Sequence, residues 1–253
     1  MKSGPAAAAA VLGATLAGLP PAEHGYLVPS GNPVSVSLAQ VQDPEWLDTQ
    51  IRQQARRWPT VDRRVLATLW WYSVSQVALT PTLASVFTTG QALSPLPADV
   101  ELHCLPDGRI FTARSTAVLD GDLVTVVSAA VRETLEVVIP AIARAGVKRE
   151  APLWAIATDS LANRLLWLGR TRGDRDRATA LAATLVERIG APMPRPRYVD
   201  VDRLPPHTGQ ARFVRRASCC LVYFEPGQAK CASCPRRTPE SRHRLLRMAA
   251  DFA

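Results

Sequence analysis

Most of the chain carries apolar residues at helix-like spacing, and only a few short stretches alternate. Residues 43–58 (DPEWLDTQIRQQARRW) predict a helix with Asp43 as its cap and Pro44 at its first position, where a missing N–H costs nothing. A second helix is predicted over 61–78, and Leu69, Trp70, Trp71 and Tyr72 make it apolar nearly all round, as in a buried helix. Pro81 is read as opening a separate short helix that ends near Gly90. Three more helices are predicted at 122–145, 151–169 and 174–189, the first kinked or split at Pro140. A short basic helix follows at 238–252, with Thr238 capping and Pro239 first. Alternation marks the strands: 34–38, and 98–115, where Val100, Leu102 and Cys104 alternate with Glu101 and His103 before Pro106, Asp107 and Gly108 turn the chain. Residues 195–203 read as extended, and 211–224 as a strand running into cysteines. The expected fold class is α+β: a mainly helical domain with a small antiparallel sheet over 1–210, then a short C-terminal segment over 211–253.

Composition changes this picture little. A chain of 253 residues with 47% hydrophobic residues and 21% charged residues is ordinary for a globular protein. It can bury roughly 70–75% of its unfolded surface, so it needs no disulfides to fold. Aromatics are only 6%, which leaves the core to Ala, Leu and Val. The formal net charge of +8 points to an acidic partner: nucleic acid, anionic lipid, an anionic small molecule or an acidic protein. Much of that charge is arginine interspersed with acids, as in GRTRGDRDR (169–177), which reads as a solvated face. The N-terminus, MKSGPAAAAAVLGATLAGLPPA, mimics a secretory signal, but Lys2 is its only leading cation and the apolar run is mostly alanine. A helix with Ser3 as cap, Pro5 in its first turn and Gly18 with Pro20 ending it fits better. No stretch approaches the ~20 apolar residues of a membrane span. The chain is read as cytoplasmic, with at most peripheral membrane association.

Four of the five cysteines lie within SCCLVYFEPGQAKCASCP, residues 218–235: Cys219 and Cys220 adjacent, Cys231 and Cys234 separated by two residues. Three chemistries suit four thiols. Disulfides would need an oxidising compartment, and adjacent cysteines bond poorly to each other. A structural zinc is served by Cys231 and Cys234, a common half-site, but two neighbouring side chains diverge and reach one small tetrahedral ion only with strain. A [2Fe–2S] cluster takes two thiolates on each iron, and its larger body can be approached by Cys219 and Cys220 from one stretch of chain. Thiolate softness suits it, and Pro226 with Gly227 lets the intervening ten residues fold over it.

The spacing Cys-Cys-x10-Cys-x2-Cys near the C-terminus resembles the FhuF family of ferric siderophore reductases. The flanks RRASCCLVY and CASCP are similar to that family too, and VIPAIARAGVKREAPLWAIATDSLANRL upstream resembles one of its helical stretches. The resemblance implies a [2Fe–2S] cluster held by Cys219, Cys220, Cys231 and Cys234, and one-electron reduction of a ferric siderophore that releases ferrous iron. Catalysis then needs no residue beyond the cluster. The chain has no Gly-x-Gly-x-x-Gly of its own for a nicotinamide or flavin, so an external ferredoxin-like or flavin-dependent protein is the expected electron donor. Such donors are often acidic, which suits the basic charge. Arg215 and Arg216, just ahead of the cysteines, are candidates for raising the cluster potential or for contacting an anionic siderophore; the bland alternative is a pair of solvated strand residues.

The remaining candidates read more plainly. Cys104 is a small hydrophobe on the hairpin. His24, His103, His207 and His243 form no metal-ligand pattern, and the tryptophans at 70, 71, 154 and 167 are core residues. Arg242, Arg244 and Arg247 make the last helix a basic surface helix. Two rival functions stay open: a zinc- or cluster-containing regulator that binds DNA, and a siderophore-binding protein whose cluster only senses redox state. No helix-turn-helix with a basic recognition face is evident, so nucleic acid is not among the expected partners.

Overall fold

The computed structural model describes residues 2–58 and 62–252. A two-residue strand, β1 (Lys2–Ser3), leads into α1 (Pro5–Ala17). Ser3 does not cap this helix; Gly4 holds the cap position, because Ser3 is drawn into β1 and pairs with Val118. After a short 3₁₀ turn come β2 (Val34–Ser37) and α2 (Pro44–Gln53), the latter capped by Asp43, whose carboxylate accepts from the N–H groups of Glu45 and Trp46.

The central element is α3 (Arg63–Thr89). Asp62 caps it, and Gly90, at φ +70°, ends it in the left-handed conformation that glycine adopts without penalty. The predicted start at Val61 lies outside the described residues. The expected break at Pro81 does not occur, and the helix continues through it. Pro81 cannot donate to the carbonyl four residues back, yet Val74, Ala78, Leu79, Leu83, Ala84, Val86 and Phe87 are all buried around it. Packing on every side outweighs the one lost hydrogen bond. Pro140 likewise sits inside α4 (Leu123–Ile142) without splitting it, and a π-helical turn, Ala143–Val147, follows.

Between α3 and α4 lie β3 (Ala92–Leu93), the hairpin β4 (Val100–Cys104) and β5 (Ile110–Ser115), and β6 (Val118–Leu119). All pairings are antiparallel, in two three-stranded sheets ordered β1-β6-β3 and β2-β4-β5. Then come α5 (Ala151–Thr171), α6 (Arg175–Ile189), and a hairpin of β7 (Tyr198–Asp202) with β8 (Gln210–Val214). The chain ends in α7 (Pro239–Ala249), capped by Thr238 onto the Ser241 N–H. The protein is 57% helical with small antiparallel sheets, an α+β fold dominated by helices. No helix among the described residues is long and apolar enough to cross a membrane.

Helices α3 and α5 form the spine that positions the cysteines. They are joined by apolar contacts and by two buried hydrogen bonds: Ser75 Oγ to Ser160 Oγ at 2.7 Å, and the Trp71 indole N–H to the Leu153 carbonyl at 2.9 Å. Gly169 lets α5 and α6 close up, since a Cβ there would lie 2.5 Å from that of Ala178. Strand β8 lies against α5 through Val214, which packs on Ala162 and Leu166. The strand expected over 211–224 ends at Val214; the Arg215 N–H still bonds to the Arg197 carbonyl beside β7, and the amides of Ala217 and Ser218 then turn to a side chain of α5.

Candidate cluster site

That side chain is Asp159, 2% exposed in the middle of α5. The Ala217 N–H donates to its Oδ1 at 2.9 Å and the Ser218 N–H to its Oδ2 at 3.2 Å. Nε of Arg216 stands 3.6 Å from Oδ2 as a buried ion pair. Burial pushes the Asp159 carboxyl up, while the two N–H groups and the Arg216 guanidinium pull against that. A carboxylate reaching out of the helical core thus fixes the chain immediately before Cys219.

The next residues are set by apolar contact and backbone geometry. Cys220 is buried with Val65 and Leu69 of α3, and Tyr72, Leu221 and Val222 pack against the same group. Leu221 has φ +66°, a left-handed conformation costing a branched residue about 1–3 kcal/mol. The Leu221 N–H lies 3.4 Å from the Cys219 Sγ, and past this turn the Val222 N–H faces Cys220. A short 3₁₀ turn, Val222–Phe224, and Gly227 at φ +74° carry the chain round to the second cysteine pair.

The second pair is braced from α7. The Cys234 N–H donates to the Cys231 carbonyl at 3.1 Å, making the loop a tight turn. Arg237 donates to the Cys231 carbonyl at 2.9 Å and also to the Lys230 carbonyl. Arg242 donates to the Cys234 carbonyl at 3.2 Å. Arg244 and Arg247 are exposed as expected of a basic surface helix, but Arg242 turns inward to hold the loop.

These supports bring all four sulfurs together. Cys219 Sγ and Cys234 Sγ are 3.7 Å apart, and Cys220 is in hydrogen-bonding contact with both Cys219 and Cys231. The contacts thus run Cys234, Cys219, Cys220, Cys231. Among the described residues no group of three or more His, Cys, Asp or Glu is set to hold one metal ion. Hydrogen bonds from Cys219 and Cys231, with Arg216 beside it, pull the Cys220 thiol down against its burial. Cys219 and Cys231, facing it, are pushed up by that same contact and by burial. Cys220 and Cys234 are 5% and 1% exposed, while Cys219 and Cys231 are half-buried.

Arg216 and Arg215 part company. Arg216 is 3% exposed and directs Nη1 at two sulfurs, 3.7 Å from Cys220 and 3.5 Å from Cys231, with its guanidinium 4.6 Å from the centroid of the Tyr72 ring. It is placed to act on the sulfurs rather than on a ligand in solvent. Arg215 is exposed, with its N–H donating to the Arg197 carbonyl at 2.8 Å. Cys104 is buried on β4 and its thiol is pushed up by that burial, as a small hydrophobe should be. His103 is buried on the same strand against Thr112.

The donor set fits an iron–sulfur cluster. It is all thiolate, mostly buried, and met by backbone and guanidinium N–H groups aimed at sulfur, the interactions that set cluster potentials. Residues 216–236 match the family model of the FhuF 2Fe-2S C-terminal domain, a span that begins at Arg216 and holds all four cysteines. No curated protein sequence matches the chain. The chain is therefore FhuF-like in this segment, and its cofactor is a [2Fe–2S] cluster.

Proposed function

We propose that this FhuF-like protein is a ferric siderophore reductase in which Cys219, Cys220, Cys231 and Cys234 hold the cluster. The observation that carries the reading is the gathering of four sulfurs under a buried cation, with the Cys219 sulfur half-open to the surface. When bound, the [2Fe–2S] cluster stores and passes one electron. The chain's own residues do the rest. Arg216 places positive charge against two sulfurs and favours the more negative, reduced state. Asp159 holds Arg216 and the two amides before Cys219 in register. Tyr72, Leu69 and Val222 keep water from the inner sulfurs.

One electron from a reduced external donor, ferredoxin-like or flavin-dependent, becomes one electron delivered to Fe(III). The product Fe(II) is a softer, larger ion that hard oxygen donors hold far less tightly, so the siderophore lets it go. In this reading residues 1–210 form the siderophore-binding domain, residues 211–253 the cluster segment, and the reaction is cytoplasmic.

The test is anaerobic purification with iron, zinc and acid-labile sulfide analysis. Mixing the dithionite-reduced protein with a ferric siderophore in the presence of a ferrous chelator would follow. The expected result is two irons and two sulfides per chain, and ferrous iron appearing as the cluster reoxidises. One zinc and no sulfide would end the reading in favour of a structural-zinc regulator. A cluster that reoxidises without releasing ferrous iron would favour a redox sensor. Cys219→Ser and Cys234→Ser are expected to lose or destabilise the cluster and abolish iron release; a variant that keeps both would overturn the ligand assignment.

A further inference from the structure

A cavity of about 480 Å³ opens beside Cys219. Its walls come from three separate parts of the chain: the start of α3, the turn leading into α5, and the two flanks of the cysteine segment. Three arginines line it, Arg64, Arg149 and Arg236, and none of its lining residues is acidic. That is unusual on a surface where arginines mostly alternate with acids. The nearest acids in sequence do not line it. Asp62 caps α3 and stands 3.8 Å from Arg64 as an exposed ion pair, and Glu150 accepts from the Trp154 indole N–H at 3.5 Å.

Two of the three cations are held in place by one aromatic pair. Tyr223 and Phe224 lie with ring centroids 4.5 Å apart, and Arg236 sits 5.8 Å from the Tyr223 centroid while Arg64 sits 5.8 Å from that of Phe224. The floor is apolar, from Val147, Ala155 and Leu221. Of the four cysteines only Cys219 lines the cavity. A larger cavity of about 760 Å³ at α2, by contrast, is lined by no cysteine and mixes Glu45 and Asp48 with its arginines.

We infer that the cavity beside Cys219 is the docking site for the substrate, and that it selects ferric complexes carrying net negative charge. The inference rests on the reductase reading and adds the substrate class and the residues that choose it. Three arginines opposed by one exposed carboxylate, Asp62 beside Arg64, leave the cavity net positive, which attracts an anion and repels a cationic complex. A cavity of this volume encloses part of a siderophore complex and leaves the rest in solvent. The enclosed part would lie beside Cys219, the one of the four cysteines that borders the cavity.

Gallium(III) complexes test binding apart from electron transfer, because gallium keeps the charge and near size of ferric iron and is not reduced. Cluster-loaded protein would be titrated with a polyanionic gallium tricatecholate and with a neutral gallium trihydroxamate, at low and high salt. The expected result is at least about tenfold tighter binding of the anionic complex, weakening as salt screens the arginines. Arg149→Glu and Arg236→Glu should each weaken it about tenfold or more, with the cluster's visible spectrum unchanged. Arg195→Glu, a charge reversal outside the cavity, should have little effect. Equal binding of the two complexes, or indifference to Arg149→Glu and Arg236→Glu, would overturn the inference. Failure of the two readings is separable. Ferric complexes still reduced at rates insensitive to these variants would discard the cavity and keep the reductase. Charge-selective gallium binding without reduction of the iron complex would keep the cavity and discard the reductase.

Discussion

Arg216 is the residue on which the electronic properties of the site turn. Reduction adds negative charge to the cluster, so a cation against two of its sulfurs stabilises the reduced form more than the oxidised one. Arg216→Gln should therefore lower the reduction potential. A differential interaction of about 1.4 kcal/mol corresponds to roughly 59 mV for one electron, so a drop on the order of 50–100 mV is expected in a potentiometric titration. Arg216→Lys should fall between, because an ammonium keeps the charge but not the planar fork. The Asp159 side of the pair should behave differently. Asp159→Asn leaves Arg216 buried without its counter-charge, and breaking a buried pair in this way typically costs about 3–5 kcal/mol, read in a denaturant melt. That the four cysteines form one group was legible from their clustering in the sequence. Asp159 was not, because its partners Ala217 and Ser218 are 58 and 59 residues away in sequence. A signal existed all the same: a single acid among the apolar residues of 151–169 is a poor occupant of a buried helix face unless something pairs with it.

At the scale of elements, the site is a loop held by three helices it does not belong to, α3, α5 and α7. Arg237 and Arg242 tie the Cys231–Cys234 turn to α7, so the turn's carbonyls are satisfied by guanidiniums rather than by water. Arg237→Ala should leave the helical content intact and speed loss of iron to a strong chelator several-fold, as followed by bleaching of the visible spectrum. The apolar patterning located most helices and the β4–β5 hairpin within a few residues, because these are local properties of the chain. It failed at Pro81, where a local rule calls for a break, and the split allowed at Pro140 does not occur either. There the surrounding apolar side chains, distant in sequence, hold the helix together. It also overextended β8, because the amides of Ala217 and Ser218 look like strand amides until Asp159 is known to claim them. Close helix contact is a further long-range effect. Gly169→Ala would press its Cβ against Ala178 and the Asp174 carbonyl, and a loss of about 1–3 kcal/mol is expected in thermal unfolding.

Across the whole molecule, stability is unevenly divided. The main apolar core draws on α2 to α6 and the sheet strands and includes none of the cluster cysteines. The cysteine segment shares only a small apolar group with α3, built on Val65, Leu69 and Cys220. Removing the iron should therefore leave the far-ultraviolet circular dichroism nearly unchanged. Hydrogen exchange should rise sharply over residues 216–237 while α3 and α5 stay protected. A cooperative collapse of the whole chain on iron removal would show that the helical core depends on the cofactor.

Two of the sulfurs, Cys219 and Cys231, are half-buried, and only Cys219 borders the arginine-lined cavity. In the proposed reading, an acceptor resting beside Cys219 leaves the Cys231 sulfur to the electron donor, so the molecule would take in and hand on its electron at different thiols. A gallium complex that fills the cavity without being reduced should then inhibit competitively against the ferric complex and not competitively against the donor. Competitive inhibition against both would mean that donor and acceptor share one doorway.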